Sequence, residues 1–300
     1  MSTNTIERQQ TQPAPGARTR YPRWSGVAAI GLGIGAAIVA MLGPLAIGAI
    51  RYHASDGAIN QIAGGDAAGL LLAAPAGIIA GALMLRGHRA GPVLALAPAV
   101  YVLYTYMQLA IGGDVVRYQG NSERFFPLFV GLFVLAGAIT ARAWSSLDTH
   151  ELPATSRGTD RTLGILLLAV AAFLLVGLHL PGLVDAWSAN PTGPEYLADP
   201  NVFWLVKFMD LAIVVPALIA IGIGVLRGSP WAHKAKYPAV GWFALLGSSV
   251  AGMAIVMQAT GDPAGTTVNT IAFVSFALFA LALAAVIYRP LFQKDSTVKP

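Results

Sequence analysis

Residues 204–228, WLVKFMDLAIVVPALIAIGIGVLRG, form an apolar run with two charges, Lys207 and Asp210, well inside it. About 20 helical residues at 1.5 Å rise cross roughly 30 Å of hydrocarbon, so the run reads as a transmembrane helix. An ionisable group at that depth costs roughly 2.5–3.5 kcal/mol on insertion scales, and it therefore faces a partner or a wet cavity. The stretch points to a membrane helix and to a polar site within it.

Seven further runs of similar length lie on either side, at 25–50, 66–86, 91–112, 125–143, 162–183, 237–259 and 268–288. Lipid satisfies no backbone hydrogen bond, so a spanning chain must be helical or close into a barrel, and continuous apolar runs without period-two alternation exclude the barrel. The expected fold is all-α, a polytopic membrane helix bundle of eight transmembrane helices. Composition agrees: 56% of residues are hydrophobic and 11% charged, whereas soluble domains carry about 25% charged residues. In the first run, Gly31-Leu-Gly-Ile-Gly35 offers small residues for close helix packing.

A formal net charge of +5 raises the question of nucleic acid, but the basic residues sit in short loops without interleaved aromatics, so no nucleic-acid partner is expected. They report orientation instead. Fifteen of the 19 lysines and arginines fall on one side of the eight spans, three (Arg51, Arg117 and Arg124) on the other, and Lys207 within a span. By the positive-inside rule both termini are cytoplasmic. The polar segment 1–23 is expected to be a disordered tail, with a second tail at 290–300. With no cysteine, the chain has no disulfide and no thiolate ligand.

Laid over residues 211–228, residues 70–87 match at an offset of 141 residues. Leu70, Pro75, Ala76, Ile78, Gly81, Leu85, Arg86 and Gly87 fall on Leu211, Pro216, Ala217, Ile219, Gly222, Leu226, Arg227 and Gly228. Met107-Gln108 before Gly113-Asp114 is echoed by Met257-Gln258 before Gly261-Asp262. These matches predict a 4+4 parallel internal repeat, with four-helix units at 24–144 and 161–289 joined by a cytoplasmic linker at 145–160. Offset 141 also sets Lys207 against Asp66, so these two are expected to meet across the repeat axis with Asp210 beneath them.

The candidate ligand-binding residues are Lys207, Asp210, Asp66, Tyr104, Gln108 and Gln258. Lys207 and Asp210 share a helix face at i and i+3 and are expected to pair; the bland reading is that they only hold helices in register. Asp66, at the start of its run, reads equally as a helix cap. Tyr101, Tyr104 and Gln108 form a polar-tipped stripe at i, i+3 and i+7, suited to packing or to lining a pocket. Pro75 and Pro216 are expected to free the carbonyls of Leu71 and Ala212. His53 and His179 lie near helix ends without metal-ligand spacing, so no metal or cofactor is expected. The long loop at 183–201, with Trp187, Tyr196 and three prolines, is a candidate lid. No H-E-x-x-H, G-x-S-x-G or P-loop occurs.

The run GGDAAGLLLAAPAGIIAGALMLRGHRAG (64–91, preceded by Ala63) followed by VYVLYTYMQLAIGGD resembles uncharacterised multi-pass proteins of the bacterial inner membrane. The resemblance covers about residues 60–140 and implies that location alone. The expected function is an integral membrane protein that binds or transports a small solute, ion or proton through an outward-facing polar site. The rivals are a structural or accessory membrane subunit and a lipid-modifying enzyme. Membrane lipids are the one partner class expected beyond that solute or ion.

Overall fold

The computed structural model describes residues 22–293, so the tails expected at 1–23 and 290–300 lie largely outside the described residues. Among the described residues there is no strand. Eight helices are long and apolar enough to cross a membrane: α1 (Arg23–Leu42), α2 (Asp56–Leu85), α3 (Ala90–Ile111), α4 (Ser122–Ser146), α5 (Arg157–Ala186), α6 (Pro200–Leu226), α7 (Pro230–Ala259) and α8 (Thr267–Phe292). That length and composition identify an integral membrane protein.

Several ends differ from the apolar runs, for local reasons. The first run was expected to continue to 50, but α1 stops at Leu42 because Gly43-Pro44 follows, and the chain turns through Gly48 at φ +66. Conversely, α2 begins ten residues before its apolar run. Ser55 caps it by accepting from the Ala58 N–H at 3.2 Å, and Asp56 sits in the first turn, where the helix dipole favours an acid. Ser156 and Thr266 cap α5 and α8 in the same way.

The prolines are absorbed by wide turns. In α2 a π turn at Gly69–Ala73 precedes Pro75, in α6 one at Asp210–Val214 precedes Pro216, and in α5 one at Phe173–His179 precedes Pro181. The residue before each proline donates five residues back: Ala74 N–H to the Gly69 carbonyl, Val215 to Asp210, and Leu180 to Leu175. A π turn adds one residue to the helix and lets the proline ring clear the preceding turn.

Helices α2 and α6 share further local detail at offset 141. Both end at a glycine with φ +68, Gly87 and Gly228, a left-handed stop that glycine adopts without strain. Gly26 of α1 lies against Gly81 and Leu85, and Gly164 of α5 lies against Gly222 and Leu226. The contacted residues of α2 and α6 match at offset 141, while Gly26 and Gly164 stand 138 residues apart.

Helix α7 is central, packed against α2, α3 and α8. Gly64 of α2 and Gly252 of α7 meet backbone to backbone, where an added Cβ would collide with main-chain atoms; in lipid such close packing is the main source of helix association. Of the Gly31–Gly35 run, Gly33 meets the Ala74 carbonyl and Gly35 meets Leu132, while Gly31 has nothing near it.

The loops gather at two faces. At one, Ser55 bonds Asp199, Asn60 bonds Asp262, and Arg117 donates to the Leu197 and Ala198 carbonyls at 2.7 and 2.8 Å. At the other, Lys234 donates to the Leu147 carbonyl and Lys236 bonds Thr155 and Asp160. We call these the cavity face and the linker face. Large apolar side chains stay exposed between them, including Val27 and Ile38 of α1, Phe208 and Ile213 of α6, and Ile271 and Leu278 of α8, as a lipid-facing surface requires. Exposed tryptophans mark both rims: Trp24, Trp144 and Trp231 at the linker face, Trp187 and Trp204 at the cavity face.

Candidate functional site

A cavity of about 120 Å³ opens between α1, α2, α3 and α7 at the cavity face. Its polar wall includes Asp66 and Gln61 of α2, Tyr101, Tyr104 and Gln108 of α3, and Ser249 of α7. Asp66 is 8% exposed. Its carboxylate accepts no hydrogen bond from any described residue: Oδ2 is buried beside Gly43, where a side chain would collide with it, and the other edge meets the cavity. Gly43 ends α1, and the same Gly-Pro stop that shortens that helix makes room for the acid.

Tyr52, in the α1–α2 loop, also lines the cavity, and its hydroxyl is buried without a partner among the described residues. Burial, and secondly the nearby Asp66 charge, push its phenol well above the ordinary tyrosine range. The other hydroxyls are anchored: Tyr101 Oη donates toward the Gly65 carbonyl and Ser249 Oγ, each at 3.4 Å. Glycines clear the α2 side, since Gly69 leaves a Cβ-sized gap 3.9 Å from Tyr101 Oη.

Tyr104 links this cavity to a second group. Its hydroxyl donates to Asp210 Oδ1 at 2.7 Å, and His179 Nε2 donates to Asp210 Oδ2 at 2.8 Å. Asp210 opens the π turn of α6 and His179 closes that of α5, so two widened turns aim an acid and an imidazole at each other. With Nε2 donating, His179 Nδ1 is left buried without a partner among the described residues.

The expected Lys207–Asp210 pair is not formed, and neither is the Lys207–Asp66 contact: Lys207 makes no ion pair within 4.0 Å among the described residues. Helical side chains lean toward the N-terminus, so Lys207 extends back one turn and sets its ammonium 3.6 Å from the centre of the Phe203 ring, beside Gly182. The acid, facing the other way, takes its donors from α3 and α5. Asp66, Tyr104 and Gln108 do come together, whereas Gln258 stands apart, donating to Thr267 Oγ1 at 3.0 Å at the end of α7.

At the mouth, His53 bonds the Tyr118 carbonyl through Nδ1 at 2.8 Å and Glu123 through Nε2 at 2.7 Å. Both partners are acceptors, so both nitrogens carry protons. The Glu123 bond chiefly, then that to Tyr118, raises the imidazole above its ordinary pKa. The loop at 187–199 carries a short helix, Pro194–Ala198, and is tied by Arg117, Tyr118 and Ser55 across the mouth. Among the described residues no group of three or more His, Cys, Asp or Glu is placed to hold a metal ion.

Sequence reasoning missed Tyr52 and the His179–Asp210 bond. Tyr52 lies just past the first apolar run, with no charge to draw attention. His179 and Asp210 are 31 residues apart; the available signal was that each belongs to a turn before a proline. Searches of protein-family models, curated proteins and solved structures found no match to this chain.

Proposed function

We propose that this protein binds a small solute, ion or proton at an outward-facing site whose central group is Asp66, as the binding step of a transporter or channel-like protein. The observation that carries the reading is a buried carboxylate without a protein donor in a cavity that opens at one face of a membrane bundle. Burying an acid unpaired is costly, and a chain retains it where a ligand supplies the missing partner.

The cavity face is the external one on this reading, because the opposite face holds most of the lysines and arginines, in keeping with a bacterial inner membrane and cytoplasmic termini. We also propose that the halves, 24–144 and 161–289, are copies of one four-helix unit. The matched π turns, prolines and glycine stops of α2 and α6 support it. The copies have diverged in their charges: at offset 141 Asp66, unpaired among the described residues, falls on Lys207, and the bonded Asp210 falls on Gly69.

A chain without cysteine allows a direct test. Thr105→Cys puts a single thiol on the cavity wall, and Thr155→Cys one on the linker face. A membrane-impermeant thiol reagent added to intact cells should label the first and spare the second. Labelling of Thr105→Cys only after permeabilisation would overturn both the orientation and the accessible site.

A further inference from the structure

The ligand class can be argued from what the cavity wall supplies and what it lacks. Among the described residues no lysine or arginine lines it, and the one protonated imidazole on the wall, His53, is committed through both nitrogens to the Tyr118 carbonyl and Glu123, so Asp66 has no counter-charge free to answer it and an anion has little to hold it there. There is one carboxylate and no cluster of three or more His, Cys, Asp or Glu, which is poor provision for a divalent metal ion. Helical carbonyls along the wall are already committed to backbone bonds, so a bare alkali ion would find few oxygens to replace its water. Four tyrosines line the wall instead, Tyr52, Tyr101, Tyr104 and Tyr106, and the quadrupole of an aromatic face attracts an ammonium group. The Asp66 carboxylate, without a donor among the described residues and with one edge on the cavity, calls for a ligand that supplies a hydrogen-bond donor.

We infer that the cavity takes a small organic or inorganic ammonium, a monovalent cation with an N–H directed at the cavity-facing edge of Asp66 and its charge among the tyrosine rings. A volume of about 120 Å³ admits several waters or a short amine, and excludes a large quaternary or peptide ligand. Gly43 and Gly69 are part of the fit: a side chain at Gly43 would collide with the acid, and one at Gly69 would narrow the gap to Tyr101.

This inference rests on the outward-facing site proposed above, and its test can fail while that site stands. Full-length protein in lipid nanodiscs is equilibrated with radiolabelled methylammonium. Wild type should bind it saturably, and ammonium should displace it. Asp66→Asn should weaken binding by about tenfold or more, the loss of one charge-assisted hydrogen bond. Tetramethylammonium, which has no N–H, should compete about tenfold more weakly or worse. Displacement by sodium or potassium as effective as by ammonium, no saturable methylammonium binding, or wild-type affinity in Asp66→Asn would each overturn the ammonium assignment. External labelling of Thr105→Cys would still leave the site itself in place.

Discussion

Lys236 and Asp66 are both charged side chains withdrawn from water, and the protein treats them in opposite ways. Lys236, on α7 near the linker face, is 0% exposed. Its ammonium has three protons and three acceptors: Thr155 Oγ1 at 2.5 Å, Asp160 Oδ1 at 2.9 Å and His233 Nδ1 at 2.9 Å. The cluster fastens the α4–α5 linker and the start of α5 to α7, and Tyr237 adds a bond to the Pro153 carbonyl at 3.3 Å. Asp66 has no donor at all among the described residues. A buried charge with all its bonds made within the protein serves architecture; one left with none, on a cavity wall, is where a ligand fits. Asp210 falls between, with one bond to each carboxylate oxygen and Tyr104 connecting it to the cavity.

Substitutions should separate the three positions by the size of their effect on stability. Lys236→Met breaks a buried pair and should cost most, about 3 kcal/mol, since Asp160 is part-exposed and recovers some hydration. Denaturant unfolding in detergent reads that loss, and labelling of Thr105→Cys from outside should persist in the surviving folded protein. Asp210→Asn keeps the shape but removes charge from two hydrogen bonds, for an expected loss of about 1–2 kcal/mol. Asp66→Asn removes a buried charge that no described residue answers, so it should cost nothing and leave the protein as stable as wild type or more so. A drop as large as that of Lys236→Met would erase the distinction between the two regions.

The smallest effect concerns the mouth. His53 has a folded pKa raised above its ordinary value of 6.5 by its bond to Glu123. Its contribution to stability is therefore complete below that value and fades as pH rises through the raised one. Melting of wild type and His53→Gln, compared from pH 6 to pH 9, should show a gap that narrows with increasing pH; a gap that widens would mean that the imidazole is not held protonated at the rim.

Much of this architecture is legible in the chain. Eight apolar runs announced eight helices, because lipid leaves the backbone no other way to meet its own hydrogen bonds. The cavity wall was visible in outline through Asp66, Tyr104 and Gln108. Hydropathy hid the first turns of α2, where DGAINQ is polar yet helical, and the cap at Ser55 was the better signal. It also hid the π turns, since a proline signals a disturbed helix without saying how the backbone will accommodate it. Charge spacing misled at Lys207 and Asp210. Positions i and i+3 share a face, but the long lysine leans back to Phe203, and the acid finds its partners on other helices. Such partners are a property of tertiary packing, which spacing along one helix does not contain.

The central claim, that the unpartnered acid is the functional charge, is tested most directly by thermal melting of wild type and Asp66→Asn side by side, with and without saturating methylammonium. Binding to the native state alone raises apparent stability by about 2.7 kcal/mol at 100 times Kd. The account predicts that, without the amine, Asp66→Asn melts no lower than wild type, and that the ligand-induced rise appears in wild type alone. An Asp66→Asn protein that melts far below wild type yet keeps the full ligand-induced rise would contradict it.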